Sequence, residues 1–199
     1  MTRRDQNRHR KDAEVRIVGG SLKGRSLAKP KTMAIRPTTD RTRESLFNVL
    51  QHSENVDWHG CRVLDLFAGT GALGIEALSR GAEFAMFFDV STEGRGLLRQ
   101  NIDAFQLAGC TKISRRDSTK PGVIGTLKPF NLVFADPPYG RGLGEAAISA
   151  AATNGWIADG AIIVLEESSE ATVSLPDAFE LSNERKIGSS ILRIYHYAT

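Results

Sequence analysis

The sequence is poor in cysteine and in long apolar runs, and both shortages exclude classes of protein. Its two cysteines, Cys61 and Cys110, are too few for a disulfide framework, and neither lies at metal-ligand spacing from another Cys or His. We therefore expect no metal site. The longest apolar runs, residues 84–88 and 161–165, are far shorter than the roughly 18 residues of a membrane span. No apolar stretch follows the arginine-rich N-terminus, so we expect no secretory signal, no membrane partner and a cytoplasmic location.

Charge is distributed unevenly along the 199 residues, although the overall composition is that of a globular domain with a small appendage. Residues 1–45 hold 13 Lys and Arg against 5 Asp and Glu, a net charge of +8, whereas the rest hold 13 against 18, a net charge of −5. We expect a basic disordered tail over residues 1–14 and an N-terminal extension over residues 15–52 whose basic face binds nucleic acid. The catalytic domain is expected over residues 53–199.

The extension contains two short extended candidates, residues 15–18 and 25–28, joined by a glycine-rich stretch that predicts a hairpin. A helix then follows, capped by Thr38 or Thr39. Its apolar stripe is expected to comprise Leu46, Val49 and Leu50.

From residue 62 onward, apolar strands alternate with helices, a pattern typical of a parallel sheet that is covered on both faces. The predicted strands are residues 63–66, 84–88, 112–115, 131–135 and 161–165, and the predicted helices are residues 72–80, a helix capped by Ser91 and ending at Gly109, and residues 143–152. Residues 179–185 and 191–197 suit a closing antiparallel hairpin. We predict a doubly wound, mostly parallel seven-stranded α/β sheet, with its last strand antiparallel.

A glycine-rich loop follows the first strand of this pattern. Gly69, Gly71 and Gly74 have the spacing of the dinucleotide-binding fingerprint, between a strand and a helix. Asp89, at the end of the second strand, can accept hydrogen bonds from both hydroxyls of a ribose. Together these features indicate an adenosine-type cofactor without specifying which one; the alternative is a strand-helix turn with incidental glycines and a surface Asp.

The sequence Asp-Pro-Pro-Tyr follows the fourth strand, at the edge of the sheet where ligands of open α/β folds bind. An exocyclic amine of a nucleobase is a poor nucleophile, because its lone pair is delocalised into the ring. The Asp136 carboxylate and the Pro137 carbonyl can accept its two hydrogens, and Tyr139 can stack on a base that has left its helix. The alternative is a rigid Pro-Pro turn with a buried tyrosine.

With these motifs the sequence resembles the class I methyltransferases that depend on S-adenosylmethionine. It is more closely similar to the RsmD family, which methylates N2 of a guanine in 16S ribosomal RNA. The segment Arg-Pro-Thr-Thr-Asp-Arg at residues 36–41 separates this family from other Asp-Pro-Pro-aromatic enzymes. The remaining stretches that carry the resemblance are residues 16–20, 23–25, 43–44, 46–48, 64–74, 76–81 and 136–139.

The resemblance implies a role for each motif. The methionine end of the cofactor would be held by Asp65, Gly69 and Gly71, its ribose by Asp89 and its adenine by Asp117. The guanine would be held by Asp136, Pro137 and Tyr139. Arg36, Thr38 and Arg41 would contact RNA or close over the cofactor. The basic face that binds RNA would also include Arg16, Lys23 and Arg25. The chain departs from the family in carrying Asp89 where Glu is usual.

The expected substrate is 16S rRNA within the small ribosomal subunit or a late precursor, and we expect a monomeric enzyme. Four alternatives are open at this point: two are methyltransferases with other substrates, and two belong to other classes. A DNA adenine-N6 methyltransferase can orient its target amine with the same Asp-Pro-Pro-Tyr motif, but no stretch of this sequence is long enough for a separate target-recognition domain. A nicotinamide-dependent oxidoreductase leaves that motif unexplained, and a non-catalytic RNA-binding protein leaves the cofactor motifs unexplained. A methyltransferase for glutamine side chains would show Asn in place of Asp136.

Overall fold

A computed structural model describes residues 15–29 and 40–199, and they contain one seven-stranded sheet. The strand order is β3-β2-β1-β4-β5-β7-β6, and β7 runs antiparallel to both of its neighbours while β1 to β5 are parallel. This confirms the predicted sheet and its antiparallel strand. The strands are β1 (Arg62–Asp65), β2 (Phe84–Phe88), β3 (Thr111–Ser114), β4 (Phe130–Ala135), β5 (Ile157–Ser168), β6 (Phe179–Ile187) and β7 (Ser190–Tyr197).

Four α-helices accompany the sheet in the described part of the chain: α1 (Asp40–His52), α2 (Ala72–Ser79), α3 (Thr92–Phe105) and α4 (Leu143–Thr153). Ser91 caps α3 as predicted, because its hydroxyl accepts a hydrogen bond from the amide of Gly94 at 3.1 Å. The predicted end at Gly109 is wrong. The left-handed residue Gln106 (φ 59°) stops the helix, and a separate 3-10 turn follows. None of these helices is long and apolar enough to cross a membrane.

The two faces of the sheet form two apolar cores, as expected for a doubly wound fold. Alternating side chains of each strand point to opposite faces. On one face α1, α2 and α3 pack around the fully buried Phe47, Ile75 and Leu98. On the other face α4 packs its buried Ile148 into a cluster that contains Trp156. The carboxyl ends of β1 to β5 consequently open on a single edge between these layers.

Residues 15–29 form a smaller hairpin than predicted. One antiparallel bridge joins Arg16 to Ser26, and no regular strand forms there. The amide of Ile17 donates to the carbonyl of Arg25 at 2.9 Å, and a 3-10 turn over Gly20–Leu22 closes the pairing. The predicted helix caps, Thr38 and Thr39, and the predicted tail, residues 1–14, lie outside the described residues.

Buried polar side chains fasten this hairpin to α2. Glu76, which has no exposed surface, accepts hydrogen bonds from the amide of Val18 at 2.8 Å and from Arg80 Nε at 2.9 Å. The Ser79 hydroxyl donates to the carbonyl of Gly19 and accepts from the amide of Leu22. Because these partners satisfy one another away from water, the hairpin is fixed to the helix that begins at the glycine loop.

Replacing Glu76 by Ala tests this attachment. The Val18 amide and the Arg80 guanidinium would lose their shared acceptor inside the protein, so we expect the free energy of unfolding to fall by about 3 kcal/mol. We also expect trypsin to cleave faster at Lys23 and Arg25. Denaturant titration and limited proteolysis measure the two effects. The exposed Glu83, in the connection between α2 and β2, supplies the control. Equal losses in Glu83→Ala and Glu76→Ala would contradict the assignment.

Candidate active site

Four aspartates lie at or shortly after the carboxyl ends of four neighbouring strands. In the order in which the strands β3, β2, β1 and β4 lie in the sheet, they are Asp117, Asp89, Asp65 and Asp136. Parallel strands that are hydrogen-bonded side by side end at the same edge. The sheet therefore brings together the predicted cofactor residues and the predicted base-binding motif along one line.

The glycine loop is held by main-chain hydrogen bonds to both neighbours of β1. The amide of Ala68 donates to the carbonyl of Phe88 at 3.0 Å, and the amide of Leu66 donates to the carbonyl of Phe134 at 2.9 Å. Gly71, where α2 begins, has φ +81°, and a Cβ there would lie 2.5 Å from the Leu98 side chain. Only glycine suits that position, because both the backbone angle and the space exclude a side chain.

Asp89 connects the loop to the end of β2. Its Oδ2 accepts from the Gly69 amide at 2.8 Å, and its Oδ1 accepts from the Ser91 amide at 2.6 Å. Burial raises the pKa of Asp89, although the two amides act in the opposite direction. Each oxygen retains a lone pair for a further donor.

Gly94 makes room for this carboxylate, a role that the sequence did not predict. A Cβ at Gly94 would lie 2.4 Å from Asp89 Oδ2. Gly96, two residues further along α3, has open space around it. A glycine inside a helix lowers stability by about 1 kcal/mol relative to alanine. The presence of Gly94 in the first turn of α3 was therefore the sequence feature that could have indicated a special role.

Asp65 lies beneath the loop with 2% of its surface exposed. Burial raises its pKa to about 7, against the hydrogen bonds that it receives from the amides of Gly74 and Phe67, and the charge of Asp89 adds to the increase. A carboxyl group in this state gains from a ligand that brings positive charge close to it. Asp65 is therefore a residue that could hold a cationic group of a cofactor.

Asp117 is exposed in the loop after β3. Its Oδ1 accepts from the hydroxyl and the amide of Thr119, at 2.7 and 2.9 Å, and these bonds hold the pKa of Asp117 below its usual value. The neighbouring Ser118 donates a hydrogen bond to the carbonyl of Leu66, at the end of β1. The loop that carries Asp117 is thus tied to the strand that leads into the glycine loop.

The Asp-Pro-Pro-Tyr loop is held by two glutamates of β5 that the sequence analysis also missed. The Tyr139 hydroxyl donates to Glu166 Oε1 at 2.7 Å, and the Gly140 amide donates to Glu167 Oε1 at 2.8 Å. Burial raises the pKa of Tyr139, with the charges of Asp136 and Glu166 adding to the effect, so the phenol remains protonated. Both glutamates follow the predicted strand 161–165 at its carboxyl end, and that position was the available signal.

Of the predicted RNA-binding residues that the structure describes, Arg25 lies away from this edge. Arg25 donates to the carbonyl of Ala104 and covers the Phe105 ring, with its guanidinium carbon 4.4 Å from the ring centre. It therefore lies at the end of α3 opposite to Asp89, about 20 Å away along the helix. Lys23 and Arg41 are exposed. Arg36 and Thr38 lie outside the described residues.

Arg16 is exposed but forms an ion pair. Its amide donates to Asp40 Oδ1 at 3.1 Å and its Nε lies 3.4 Å from Asp40 Oδ2, while the fully buried Arg43 bonds the same carboxylate at 2.8 Å. Partial burial acts against the charged carboxylate, but these donors lower the pKa of Asp40 below its usual value. The pair orients the start of α1 against the hairpin.

The carboxylate acceptors at this edge of the sheet fit a nucleoside cofactor that carries positive charge. Asp65 and Asp89 offer acceptors for hydroxyl and cationic groups on either side of the glycine loop, whereas a pyrophosphate there would meet two carboxylates. Among the described residues, no three His, Cys, Asp or Glu side chains are grouped to hold a metal ion.

The sheet order, the glycine loop and the Asp-Pro-Pro-Tyr motif define a class I methyltransferase. Comparisons with known proteins agree. The family described as conserved hypothetical protein 95 matches residues 15–196. Ribosomal RNA small subunit methyltransferase D of Escherichia coli strain K12 is 37% identical over 188 residues, which cover 94% of this chain and 92% of that protein. The chain belongs to this family, the RsmD family of methyltransferases.

Solved structures lead to the same result. The structure of yhhF from Escherichia coli superposes with a TM-score of 0.78 at 35% identity, covering 93% of this chain and 98% of that one. HI0767 from Haemophilus influenzae gives a TM-score of 0.76 at 30% identity, covering 94% and 99%. Membership in a methyltransferase family removes the oxidoreductase alternative.

Replacing Gly94 by Ala tests the space around Asp89. The new Cβ would push the carboxylate away from the Gly69 amide, so we expect at least a tenfold loss of affinity for S-adenosylmethionine, the expected cofactor. Calorimetric titration measures it. Gly96→Ala, in the same helix, should leave binding unchanged and stabilise the protein by about 1 kcal/mol. If both variants bind equally well, Gly94 has no such role.

The raised pKa of Asp65 predicts a pH dependence of stability. The folded protein holds this proton more tightly than the unfolded chain, so its stabilising contribution is complete near pH 4 and is lost as the pH rises through about 7. The free energy of unfolding of the wild type, measured against that of Asp65→Asn, should therefore fall between about pH 4 and about pH 8. A difference that does not change with pH would contradict a buried, titrating Asp65.

Proposed function

We propose that the protein transfers a methyl group from S-adenosylmethionine to the exocyclic N2 amine of a guanine in 16S ribosomal RNA of the small subunit. The observation that carries this proposal is the pairing of β1 with β4. It places the glycine loop and the Asp-Pro-Pro-Tyr loop at adjacent strand ends, joined by the bond from the Leu66 amide to the Phe134 carbonyl. A methyl donor and a base amine must meet in such a position for direct displacement.

The cofactor roles follow from the acceptors along the edge. The methionine end is assigned to Asp65, Gly69 and Gly71, where the raised pKa of Asp65 favours a nearby cation. The ribose is assigned to the two oxygens of Asp89, and the adenine to Asp117, whose Oδ1 is already engaged by Thr119. When bound, S-adenosylmethionine supplies an electrophilic methyl group on a sulfonium.

The base-binding roles belong to the loop after β4. The Asp136 carboxylate and the Pro137 carbonyl accept the two amine hydrogens, which directs the nitrogen lone pair toward the methyl donor. Pro137 is buried, and the two consecutive prolines fix the backbone that presents these acceptors. Tyr139 stacks on the flipped base, and its hydroxyl is anchored by Glu166. The amine proton passes to Asp136 or to water after methyl transfer.

The choice of RNA rests on the relatives and on the charge of the chain. The curated relative reported above, from Escherichia coli, is named for methylation of small-subunit ribosomal RNA. Residues 1–45 carry a net charge of +8, which favours a polyanionic partner. We assign RNA contact to Arg16, Lys23, Arg25, Arg36, Thr38 and Arg41. We also propose a cytoplasmic monomer that acts on assembled small subunits or a late precursor.

One assay distinguishes the substrates. Labelled S-adenosylmethionine is offered with naked small-subunit rRNA, assembled small subunits, duplex DNA and total protein side by side. We expect label in the small subunit, recovered as N2-methylguanosine after nuclease digestion and chromatography. Label in DNA adenine would favour the alternative adenine-N6 methyltransferase, and label in none of the four would contradict the proposal.

Two alanine variants separate the cofactor and base roles. Asp136→Ala should lower turnover by about a hundredfold or more, because the amine loses its orienting acceptor, while cofactor affinity stays within a few-fold. Asp89→Ala should weaken cofactor binding by about 10- to 100-fold, because it removes both the loop support and the hydroxyl acceptors. Calorimetry and single-turnover methylation measure the two properties. Equal losses of cofactor binding in both variants would contradict these roles.

A further inference from the structure

Glu166 lies beside Asp136 at the edge of the sheet. The parallel register pairs Phe134 with Val164 and Ala135 with Leu165. The next residue after β4 is Asp136, and the next residue along β5 is Glu166, so these two residues follow in register. Neighbouring strands lie about 4.8 Å apart, and residues in register point to the same face. The base-binding loop thus has a second carboxylate next to the one that is assigned to the amine.

The geometry of Glu166 is fixed through one of its two oxygens. Oε1 accepts from the Tyr139 hydroxyl and from the Ser190 hydroxyl, both at 2.7 Å. Within residues 15–29 and 40–199, Oε2 has no hydrogen-bond partner, and the residue is only partly buried. The nearby phenol of Tyr139 feels the charges of both Asp136 and Glu166. One oxygen of Glu166 is therefore left as an acceptor without a donor in the described part of the chain, next to the loop to which the base is assigned.

The chemistry of the bases decides what this acceptor recognises. An ionised carboxylate accepts hydrogen bonds and donates none. In guanine two ring nitrogens flank the carbon that carries the exocyclic amine, and one of them, N1, carries a hydrogen. In adenine and cytosine the ring nitrogen next to the amine is itself an acceptor. A carboxylate beside the acceptor of the amine therefore attracts guanine and repels the two other bases that carry an amine.

We propose that Glu166 selects guanine, its Oε2 accepting the N1 hydrogen of the base whose N2 amine is held by Asp136 and Pro137. This inference rests on the proposed function and deepens it, because it names a residue that distinguishes guanine from the adenine of the related reaction on DNA. A site built to pair with a polar hydrogen rejects an analogue that lacks it, because the buried acceptor is then left unpaired.

The test compares guanine with 2-aminopurine, which keeps the amine but has an acceptor at N1. Small subunits are reassembled on rRNA that carries either guanine or 2-aminopurine at the nucleotide that is methylated. The kcat/KM for methylation is then measured with each kind of subunit. The wild type should prefer guanine by about a hundredfold. In Glu166→Gln the amide oxygen should stay with the two hydroxyls, leaving an NH2 toward N1, so the preference should fall at least tenfold.

Matched variants separate base selection from support of Tyr139. Tyr139→Phe and Ser190→Ala each remove one hydroxyl from Glu166 Oε1 while leaving the carboxylate in place. Both should retain the preference for guanine over 2-aminopurine, whatever their overall rate. If Glu166→Gln slows both substrates equally and keeps the preference, Glu166 acts only through Tyr139 and the inference is wrong.

The wild type alone also tests the inference, independently of any folding defect in the variants. Comparable methylation of 2-aminopurine and guanine by the wild type would overturn the role of Glu166 while leaving the proposed function in place. Failure to methylate guanine in small subunits at all would instead overturn the proposed function.

Discussion

The main-chain pairing of β1 with β4 is the constraint on which the rest of the site depends. It places two loops of unrelated chemistry next to each other: one that turns sharply through Gly69 and Gly71, and one that presents Asp136. Neither loop could hold its position alone, because loops carry few hydrogen bonds of their own. The sheet supplies that rigidity, since the chain enters each loop from a strand that is buried on both faces and leaves it toward a helix.

Acidic side chains hold several loops and segments in place around the site. Asp89 accepts from the amide of Gly69, Glu76 from the amide of Val18, and Glu167 from the amide of Gly140. In each case a carboxylate bonds the backbone of a segment that is distant in sequence, and such charge-assisted bonds are stronger than neutral ones. The acidic body of the chain is thus used internally, whereas the basic excess lies in the N-terminal residues that are assigned to RNA.

The N-terminal hairpin is connected to the cofactor loop by two routes. Glu76 and Ser79 attach it to α2, the helix that starts at Gly71. The buried Asn101 of α3 forms the second route, donating to the carbonyl of Thr70 and accepting from the amide of Ala28, both at 2.8 Å. A segment that carries proposed RNA contacts therefore shares fixed hydrogen bonds with the loop that is proposed to hold the methyl donor.

The sequence by itself determined the alternation of strands and helices, the antiparallel end of the sheet and the two motifs, because each depends on local periodicity or on adjacent residues. It also indicated Asp89 as a candidate ribose ligand, since the end of the second strand is predictable from its apolar run. Only the tertiary structure decided which residues support those motifs. Glu166 meets Tyr139, Gly94 makes room for Asp89 and Asn101 bridges Thr70 to Ala28 through register and helix packing. The contacts of Glu166 and Asn101 join residues that are distant along the chain, which no local pattern encodes, and the contact of Gly94 with Asp89 depends on the path of the chain from β2 into α3.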